Sequence, residues 1–378
     1  MGFRITTNMM MNTYRKNLQG SNLKLSDSMD KVMTKRNFNS YAEDPAAATQ
    51  AFRLRRDWYQ TSSQLDNANS VYSKFNTAWH NMGGIIKDLS DTNGRVSAIR
   101  GTNGTAGESR TALAKVLRET GDSIIQAMNQ KVGDQFIFAG NDGLNVPFSW
   151  GEDPDGNKIL LYRGINVNSK NPEDQQRLKE MTQEEINIDL GMGLKEDDNA
   201  VLINGSAFNA ALCGLDFMNY GVDEDGDPKN LALIMRELAD VFDGWRENGQ
   251  KYMPEKYRDM SADEIKQIME ADGPEAKEIN AYHAEMEEKA NRLMDKLNAA
   301  QEHTTEKYVE LDASASFLQS EQGILSSQKT DLNTQILEVE QIDLADAITR
   351  MSYDQMCYNA ALKIGTQLLS QSLVDYMN

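Results

Sequence analysis

The chain has 378 residues, a formal net charge of -19 and a mean hydropathy of -0.61. An acidic surface repels phosphate backbones and anionic lipid headgroups, so we expect no nucleic acid and no membrane as partner. The sequence also contains no run of 18 apolar residues, which excludes a helix that spans a bilayer. Its length is enough for two or three domains.

Residues with catalytic or metal-binding chemistry are scattered along the chain. The two cysteines, Cys213 and Cys357, are too far apart in sequence to suggest a disulfide framework or a metal cluster, so we expect them to be small buried hydrophobes. The three histidines do not group either, and we expect them on solvated helix faces. We find no nucleophile elbow, Walker loop or dinucleotide fingerprint. The sequence therefore predicts no enzyme, no cofactor and no metal.

Two acidic turns, at 151–157 and 222–228, could bind calcium. Neither turn places ligands at the positions that an EF-hand loop requires, because glycine falls at position 1 in both. We expect plain turns, with an irregular weak cation site as the alternative.

The strongest pattern in the sequence is a heptad repeat in the first third of the chain. Two series of apolar residues recur every seven positions: Trp58, Leu65, Tyr72, Trp79 and Ile86 form the first, and Ala68, Phe75, Met82, Leu89 and Val96 the second. Such a seam predicts a long helix paired with another helix, ending at Arg100–Gly101. A second helix is expected to follow the turn-rich segment 101–109 and to end near Gly133.

Both ends of the chain carry the same kind of repeat. A helix is predicted from Pro274 over most of the remaining chain, with a phase shift beyond Asp343 that we interpret as a stutter in a continuous helix. Pro45 and its neighbours break the helical pattern at 37–46. The apolar series are Leu311, Leu318, Leu325, Leu332 and Val339 near the C-terminus, and Met11, Leu18, Leu25 and Val32 near the N-terminus.

The middle of the chain differs in character. Strands are predicted at Lys158–Asn168 and Glu185–Leu190, and an amphipathic helix at Leu231–Trp245. The fold class is therefore mainly α, with long antiparallel helical coiled-coil arms from both chain ends and an inserted α+β middle domain. We expect a terminal coiled-coil domain (1–42 plus 340–378), a helical-bundle domain (43–140 plus 284–339) and a variable outer domain (141–283).

These patterns define two candidate seams. An apolar stripe on a lone terminal helix cannot be buried within one chain, so its residues are expected to pack on neighbouring copies. The intrachain coil seam comprises Leu65, Tyr72, Trp79, Leu318, Leu325 and Leu332. The assembly and export seam comprises Leu18, Leu25, Val32, Leu362, Leu369 and Leu373.

Four short motifs resemble the hook–filament junction proteins of bacterial flagella, the flagellar hook-associated protein 3 family, which is related to flagellin. The family motif Asp44-Pro45-Ala46 lies just before the long helix. The other three motifs are Arg4–Met10, Phe136–Gly140 and Gln371–Asn378. Together they cover the two ends, roughly 1–143 and 305–378, and leave the middle without a clear likeness.

The resemblance implies a structural role outside the cell. The subunit would leave the cell unfolded by type III export, without a cleaved signal peptide. An export chaperone would hold the C-terminal helix, and a ring of copies would then sit between a neighbouring hook-associated protein and the flagellin filament. Flagellin itself remains the alternative, and a secreted enzyme or metal-binding protein with helical arms is a remote one.

Overall fold

A computed structural model describes residues 7–101, 107–153, 158–193, 195, 205–244, 255–257, 260, 262–271 and 273–377. The helices are α1 (Thr7–Thr34), α2 (Pro45–Gly101), α3 (Gly107–Met128), α4 (Pro172–Thr182), α5 (Gly214–Met218), α6 (Leu231–Gly244), α7 (Ala262–Glu270), α8 (Pro274–Glu340) and α9 (Leu344–Met377). The strands are β1 (Lys131–Val132), β2 (Gln135–Phe136), β3 (Phe148–Glu152), β4 (Lys158–Tyr162), β5 (Ile165–Asn166), β6 (Asn187–Ile188) and β7 (Phe208–Asn209), and a 3-10 turn spans Glu255–Tyr257. The predicted fold class, mainly α with an inserted α+β region, is confirmed.

The chain forms two compact units. Unit 1 comprises residues 1–63 and 324–378, and unit 2 comprises residues 64–323. The finer division into three domains that the sequence suggests stays a prediction. None of the described helices combines the length and the hydropathy that a membrane span needs.

In unit 1, α1 packs antiparallel against α9. Ser28 Oγ donates a hydrogen bond to Asp354 Oδ2 over 2.9 Å. Further along, the Tyr14 ring occupies the space that a side chain on Gly365 would fill. The missing side chain therefore lets these two helices approach closely.

The break between α8 and α9 corrects our expectation of a continuous helix with a stutter. Helix α8 ends at Glu340, and α9 begins at Leu344. Asp343 Oδ1 accepts hydrogen bonds from the amides of Ala345 and Asp346 at 2.8 and 3.3 Å, which is an N-cap. Backbone contacts between this break and the end of α1, such as Ile342 N to Lys35 O at 3.2 Å, replace the missing helical bonds. The phase shift in the sequence thus marks the end of a helix.

The first helix of the heptad pattern starts at the Asp44-Pro45-Ala46 motif. Asp44 Oδ1 accepts hydrogen bonds from the amides of Ala46 and Ala47 at 3.1 and 2.9 Å. Pro45 occupies the first helical position, where its missing amide hydrogen costs nothing. The motif therefore has a local physical role, which is to start α2.

Unit 2 is built on the antiparallel packing of α2 and α8. The Trp79 ring stacks on Tyr308 with centroids 5.6 Å apart, and Gln322 Nε2 donates to Asn69 Oδ1 over 2.9 Å. Helix α6 is buried along almost its whole length and packs closely on α3. Arg118 on α3 pairs with Asp240 and Asp243 on α6 at 2.6 and 2.7 Å.

The middle region contributes a small antiparallel sheet in the order β3-β4-β5, with Phe148 opposite Tyr162. The strand predicted at Lys158–Asn168 is divided into β4 and β5 by a turn in which Arg163 and Gly164 have φ values of 48° and 83°. Tyr162 is fully buried, and its hydroxyl donates to Phe138 O over 2.9 Å.

We predict that Gly214→Ala destabilises unit 2. A Cβ at Gly214 would lie 2.5 Å from Phe148 Cε2 and 3.2 Å from Phe138 O, so the buried rings would have to move. Overpacking of this kind costs about 1–3 kcal/mol, which urea denaturation of the full chain measures. The matched control is Gly84→Ala on α2, whose Cβ meets nothing within 4 Å and which should not lose stability. Equal stability of the two variants would contradict this packing.

Candidate assembly surface

The residues of the predicted intrachain seam lie at different depths. Leu318 and Leu325 are buried, whereas Leu65, Tyr72, Trp79 and Leu332 are half-buried. Trp79 and Tyr308 meet face to face across α2 and α8, and Gly83 leaves room for the Tyr308 ring. The large aromatic side chains therefore cover the margin of the contact.

The centre of the buried face of α2 is formed by the second heptad series and by a companion series one residue before the first. The companion series was missed, because two of its members are polar and one is alanine. In an a/d repeat the steps alternate between three and four residues, so the second series can pair with either the first series or the companion series. The large aromatic residues of the first series made it the more conspicuous choice, but the companion series is the buried one. The buried companions are Gln64, Val71, Ala78, Ile85 and Thr92.

The polar members of this face hold the middle region in place. Gln64 Nε2 donates to Asp189 Oδ2 over 2.9 Å, and Asn67 Nδ2 donates to Asp189 O over 3.2 Å. Lys74 Nζ donates to Ala210 O over 2.9 Å, and burial lowers the pKa of this lysine. Polar groups in such positions are satisfied by backbone and carboxylate acceptors.

The residues of the predicted assembly seam lie on α1 and α9. Leu18, Leu25 and Val32 are half-buried on α1, and Leu362 is 41% exposed on α9. Leu369 and Leu373 fall within the bounds of α9, but their side chains lie outside the part of the chain that the structure describes.

Unit 1 carries most of the large apolar side chains that are exposed among the described residues. They occur on α1, on the segment that connects α1 to α2, on the beginning of α2, on the end of α8 and on α9. In unit 2 the corresponding residues are Leu144, Val146, Val309 and Phe317. In unit 1 they are Met9, Met10, Leu23, Met29, Met33, Tyr41, Phe52, Tyr59, Ile324, Leu337, Leu344, Ile348, Tyr353, Met356, Leu362 and Ile364. This concentration of exposed apolar side chains makes unit 1 the candidate contact surface of the chain.

The two units also differ sharply in charge. Unit 1 contains 13 Lys and Arg and 12 Asp and Glu, and unit 2 contains the remaining 26 basic and 46 acidic residues. Their formal charges are therefore +1 and -20. Copies of a nearly neutral unit can approach one another without strong repulsion, whereas copies of the acidic unit repel.

The acidic turn at 222–228 brings three carboxylates together, but a lysine lies between them. Ligand oxygens of Asp223, Asp225 and Asp227 lie within 4.8 Å of one another. Lys296 Nζ lies 2.5, 3.0 and 2.6 Å from these three carboxylates, and Arg292 Nε lies 2.7 Å from Asp227 Oδ2. The cluster is therefore an ion-pair network that fastens the turn to α8.

Burial and pairing act in opposite directions on this network. Burial alone would raise the pKa of Asp227, but hydrogen bonds from Arg292 and Lys296 outweigh it and hold the pKa below its ordinary value. Burial would likewise lower the pKa of Lys296, yet the three aspartates raise it. Asp223, Asp227 and Lys296 therefore stay charged at neutral pH.

A cavity of about 220 Å³ lies in unit 2 and is lined by Phe75, Cys213, Lys307 and Leu311, among others. Its lysine already pairs with Glu310 at 2.9 Å and Asp216 at 3.3 Å. Burial raises the pKa of the Cys213 thiol, which lies 3.3 Å from the Tyr162 hydroxyl. A thiol held in its neutral form is a poor nucleophile, so the described lining offers little for catalysis.

The isolated cysteines and histidines are partly as predicted. Cys213 is buried, whereas Cys357 on α9 is half-buried, because α1 covers α9 on one side only. His80 is exposed on α2, and His303 is half-buried on α8. Its Nε2 lies 2.9 Å from Asp216 O, because α5 packs against this part of α8.

We predict that Asp227→Asn destabilises unit 2 by about 2 kcal/mol, because Arg292 and Lys296 lose their hydrogen bonds to a buried carboxylate. In the unaltered chain the pKa of Asp227 is lowered on folding. The stability that the ionised Asp227 adds to the fold is therefore present above its ordinary pKa near 4. It is lost as the pH falls through the lower pKa that Asp227 has in the folded protein. Urea denaturation at pH 7 and pH 3 measures both effects. The two proteins should differ less at pH 3, and an equal difference at both values would contradict the assignment.

Comparison with known proteins gives one family match and several fold neighbours. Residues 5–142 match the model of the bacterial flagellin N-terminal helical region. No curated protein matches the chain. A putative flagellar hook-associated protein from Vibrio parahaemolyticus aligns with 13% identity and a TM-score of 0.49, over 79% of this chain and 100% of that one.

Two structures of FlgL are also similar to the chain. The Bacillus cereus protein aligns with 13% identity and a TM-score of 0.40, over 75% of this chain and 99% of its own. The Xanthomonas campestris protein aligns with 12% identity and a TM-score of 0.46, again over 75% and 99% of the two chains. Since the family match covers α1, α2 and α3, the N-terminal helices of this chain are flagellin-like.

Proposed function

We propose that this chain is a structural subunit of the bacterial flagellum that joins the hook-side junction to the flagellin filament. The observation that carries the proposal is the exposed apolar surface of unit 1, which lies on helices from both ends of the chain. The flagellin-like match over residues 5–142 supports the flagellar assignment.

Assembly through unit 1 follows from the energetics of apolar burial. Burying a Leu, Ile or Met side chain contributes about 1.5–3 kcal/mol, so a few such residues outweigh the cost of association. The near neutrality of unit 1 removes the electrostatic barrier between copies. Unit 2, with its large negative charge, stays in water. The partners are other copies in a ring, a neighbouring hook-associated protein and flagellin.

The route to this position is part of the proposal. The subunit is exported by the flagellar type III apparatus. A chaperone covers α9 before export, because an apolar helix face free in the cytoplasm invites aggregation. The subunit then occupies the extracellular hook–filament junction.

Flagellin is the second candidate, because the matched region is one that flagellin carries. Copy number separates the two roles, since a junction forms one ring and a filament contains thousands of subunits. An enzyme is disfavoured, because the cavity in unit 2 holds a neutral thiol and a lysine that is already paired.

Deletion of the gene tests the junction role. We expect hooks without filaments by electron microscopy and flagellin shed into the medium, because the first flagellin has no surface on which to assemble. Restoring the gene should restore filaments. Filaments of normal length in the deletion strain would contradict the junction role. Hooks without filaments and no flagellin in the medium would indicate instead that this chain is the filament subunit.

We also predict that Leu362→Asp with Ile364→Asp prevents incorporation into the flagellum. Both side chains are exposed on α9, at 41% and 53%, so the change should leave the fold of the free chain intact. Two charges in a contact between copies cannot be solvated and therefore block it. Immunoblots of purified flagella measure incorporation.

The matched control places the same change on unit 2, as Leu144→Asp with Val146→Asp, at side chains that are 75% and 49% exposed. The control protein should be incorporated normally. If both double variants enter the flagellum equally well, assembly does not use α9.

A further inference from the structure

One outward face of α2 in unit 1 combines aromatic and basic side chains. Phe52 and Tyr59 are 72% and 66% exposed, and the Arg56 side chain is 66% exposed between them. At 100° per residue these three point in nearly the same direction, with the exposed Arg53 at the edge of the group. Thr61, on the opposite side of the helix from Phe52, is buried. We call these four residues the basic face.

The basic face has the composition of an interface centre. Aromatic residues and arginine are the side chains most enriched at such positions. Arg56 contacts the adjacent Asp57 over 2.9 Å, a surface pair that is weak and leaves the guanidinium accessible. On a chain with a formal charge of -19, a cluster of arginines favours an acidic partner.

An acidic face of matching spacing lies on the last part of α8. Ile324, Asp331 and Glu338 recur every seven residues and are all exposed, with Ile324 at 49%. Seven residues of helix span about 10.5 Å, which is also the distance along α2 from Phe52 to Tyr59. Leu325 and Ile336 lie on the buried side of the same helix. We call these three residues the acidic face.

The two faces do not meet within one chain. In unit 1, α2 and α8 contact each other through other residues: Arg55 binds Glu340 with nitrogen–oxygen distances of 2.6 and 2.5 Å, and Lys329 Nζ lies 5.1 Å from the centre of the Trp58 ring. The basic and acidic faces are thus left exposed by the contact that the chain makes with itself.

We propose that the basic face of one copy binds the acidic face of the next copy. The charges are complementary, the spacings agree, and each face carries an exposed apolar residue that the contact would bury. Because the two faces differ, the contact is heterologous, and a heterologous contact repeats from copy to copy and forms a ring when its rotation closes. This inference rests on the proposed function, since it assumes that unit 1 assembles with copies of itself.

A charge exchange tests the contact. One variant carries Arg53→Glu with Arg56→Glu, and the other carries Asp331→Lys with Glu338→Lys. Sedimentation velocity of the purified full chain, over a concentration series at low ionic strength, measures association. Alone, each variant opposes like charges at every contact and should associate about tenfold more weakly than the unaltered chain. In an equal mixture the two variants can alternate, and every contact between unlike variants then joins faces of opposite charge. The mixture should therefore associate within about twofold of the unaltered chain.

Lys87→Glu with Arg95→Glu, which makes the same change of charge on exposed positions of α2 in unit 2, is the control and should associate normally. If the single variants associate normally, or the mixture stays as weak as its components, the inference is overturned and the proposed function stands. If the unaltered chain stays monomeric at every concentration, this inference is overturned, whereas the proposed function is decided by the deletion strain.

Discussion

The antiparallel contact between α2 and α8 is the interaction on which unit 2 depends. The buried row on α2 has no counterpart nearby in sequence, so the chain must return over more than 200 residues before Tyr308 can stack on Trp79. Closing so long a loop costs entropy that the contact has to offset. The middle region reduces this cost, because Asp189 binds the side chains of Gln64 and Asn67 and anchors the intervening chain to α2.

Periodicity predicted the long helices well, because an amphipathic stripe repeats over many turns and single exceptions do not hide it. The start of α8 at Pro274 and the end of α2 at Gly101 agree with the sequence. The choice of the buried row on α2 was less successful. Gln64 and Thr92 are buried, and their polarity hides them from a search for apolar residues, while Trp79 is conspicuous but lies at the margin.

Other features depend on contacts between distant residues and could not be read from local patterns. The end of α8 at Glu340 is fixed by backbone hydrogen bonds to Lys35 and Asn37, more than 300 positions away. The acidic turn at 222–228 suggested a cation, and the structure supplies one from Lys296. The apolar stripes of the terminal helices were recognised in the sequence. The arginines of the basic face were not recognised as a contact surface, because charged residues on a helix usually do no more than face the solvent.

The segregation of charge gives the two units opposite tendencies. Apolar side chains on a nearly neutral unit favour contact, whereas the excess of carboxylates on the other unit favours separation and solubility. This separation limits how copies of the chain can be arranged. Only arrangements that bring copies of unit 1 together and keep copies of unit 2 in water are favoured by both the apolar contacts and the charges.

The lysine among the three aspartates has a consequence for the medium in which the protein works. A loop whose three carboxylates contact a lysine of the same molecule carries part of its counterion charge with it. A divalent cation would have to compete with Lys296 for these oxygens before it could bind the loop. We therefore expect the loop to keep its shape both in soft fresh water and in mineral-rich fluid.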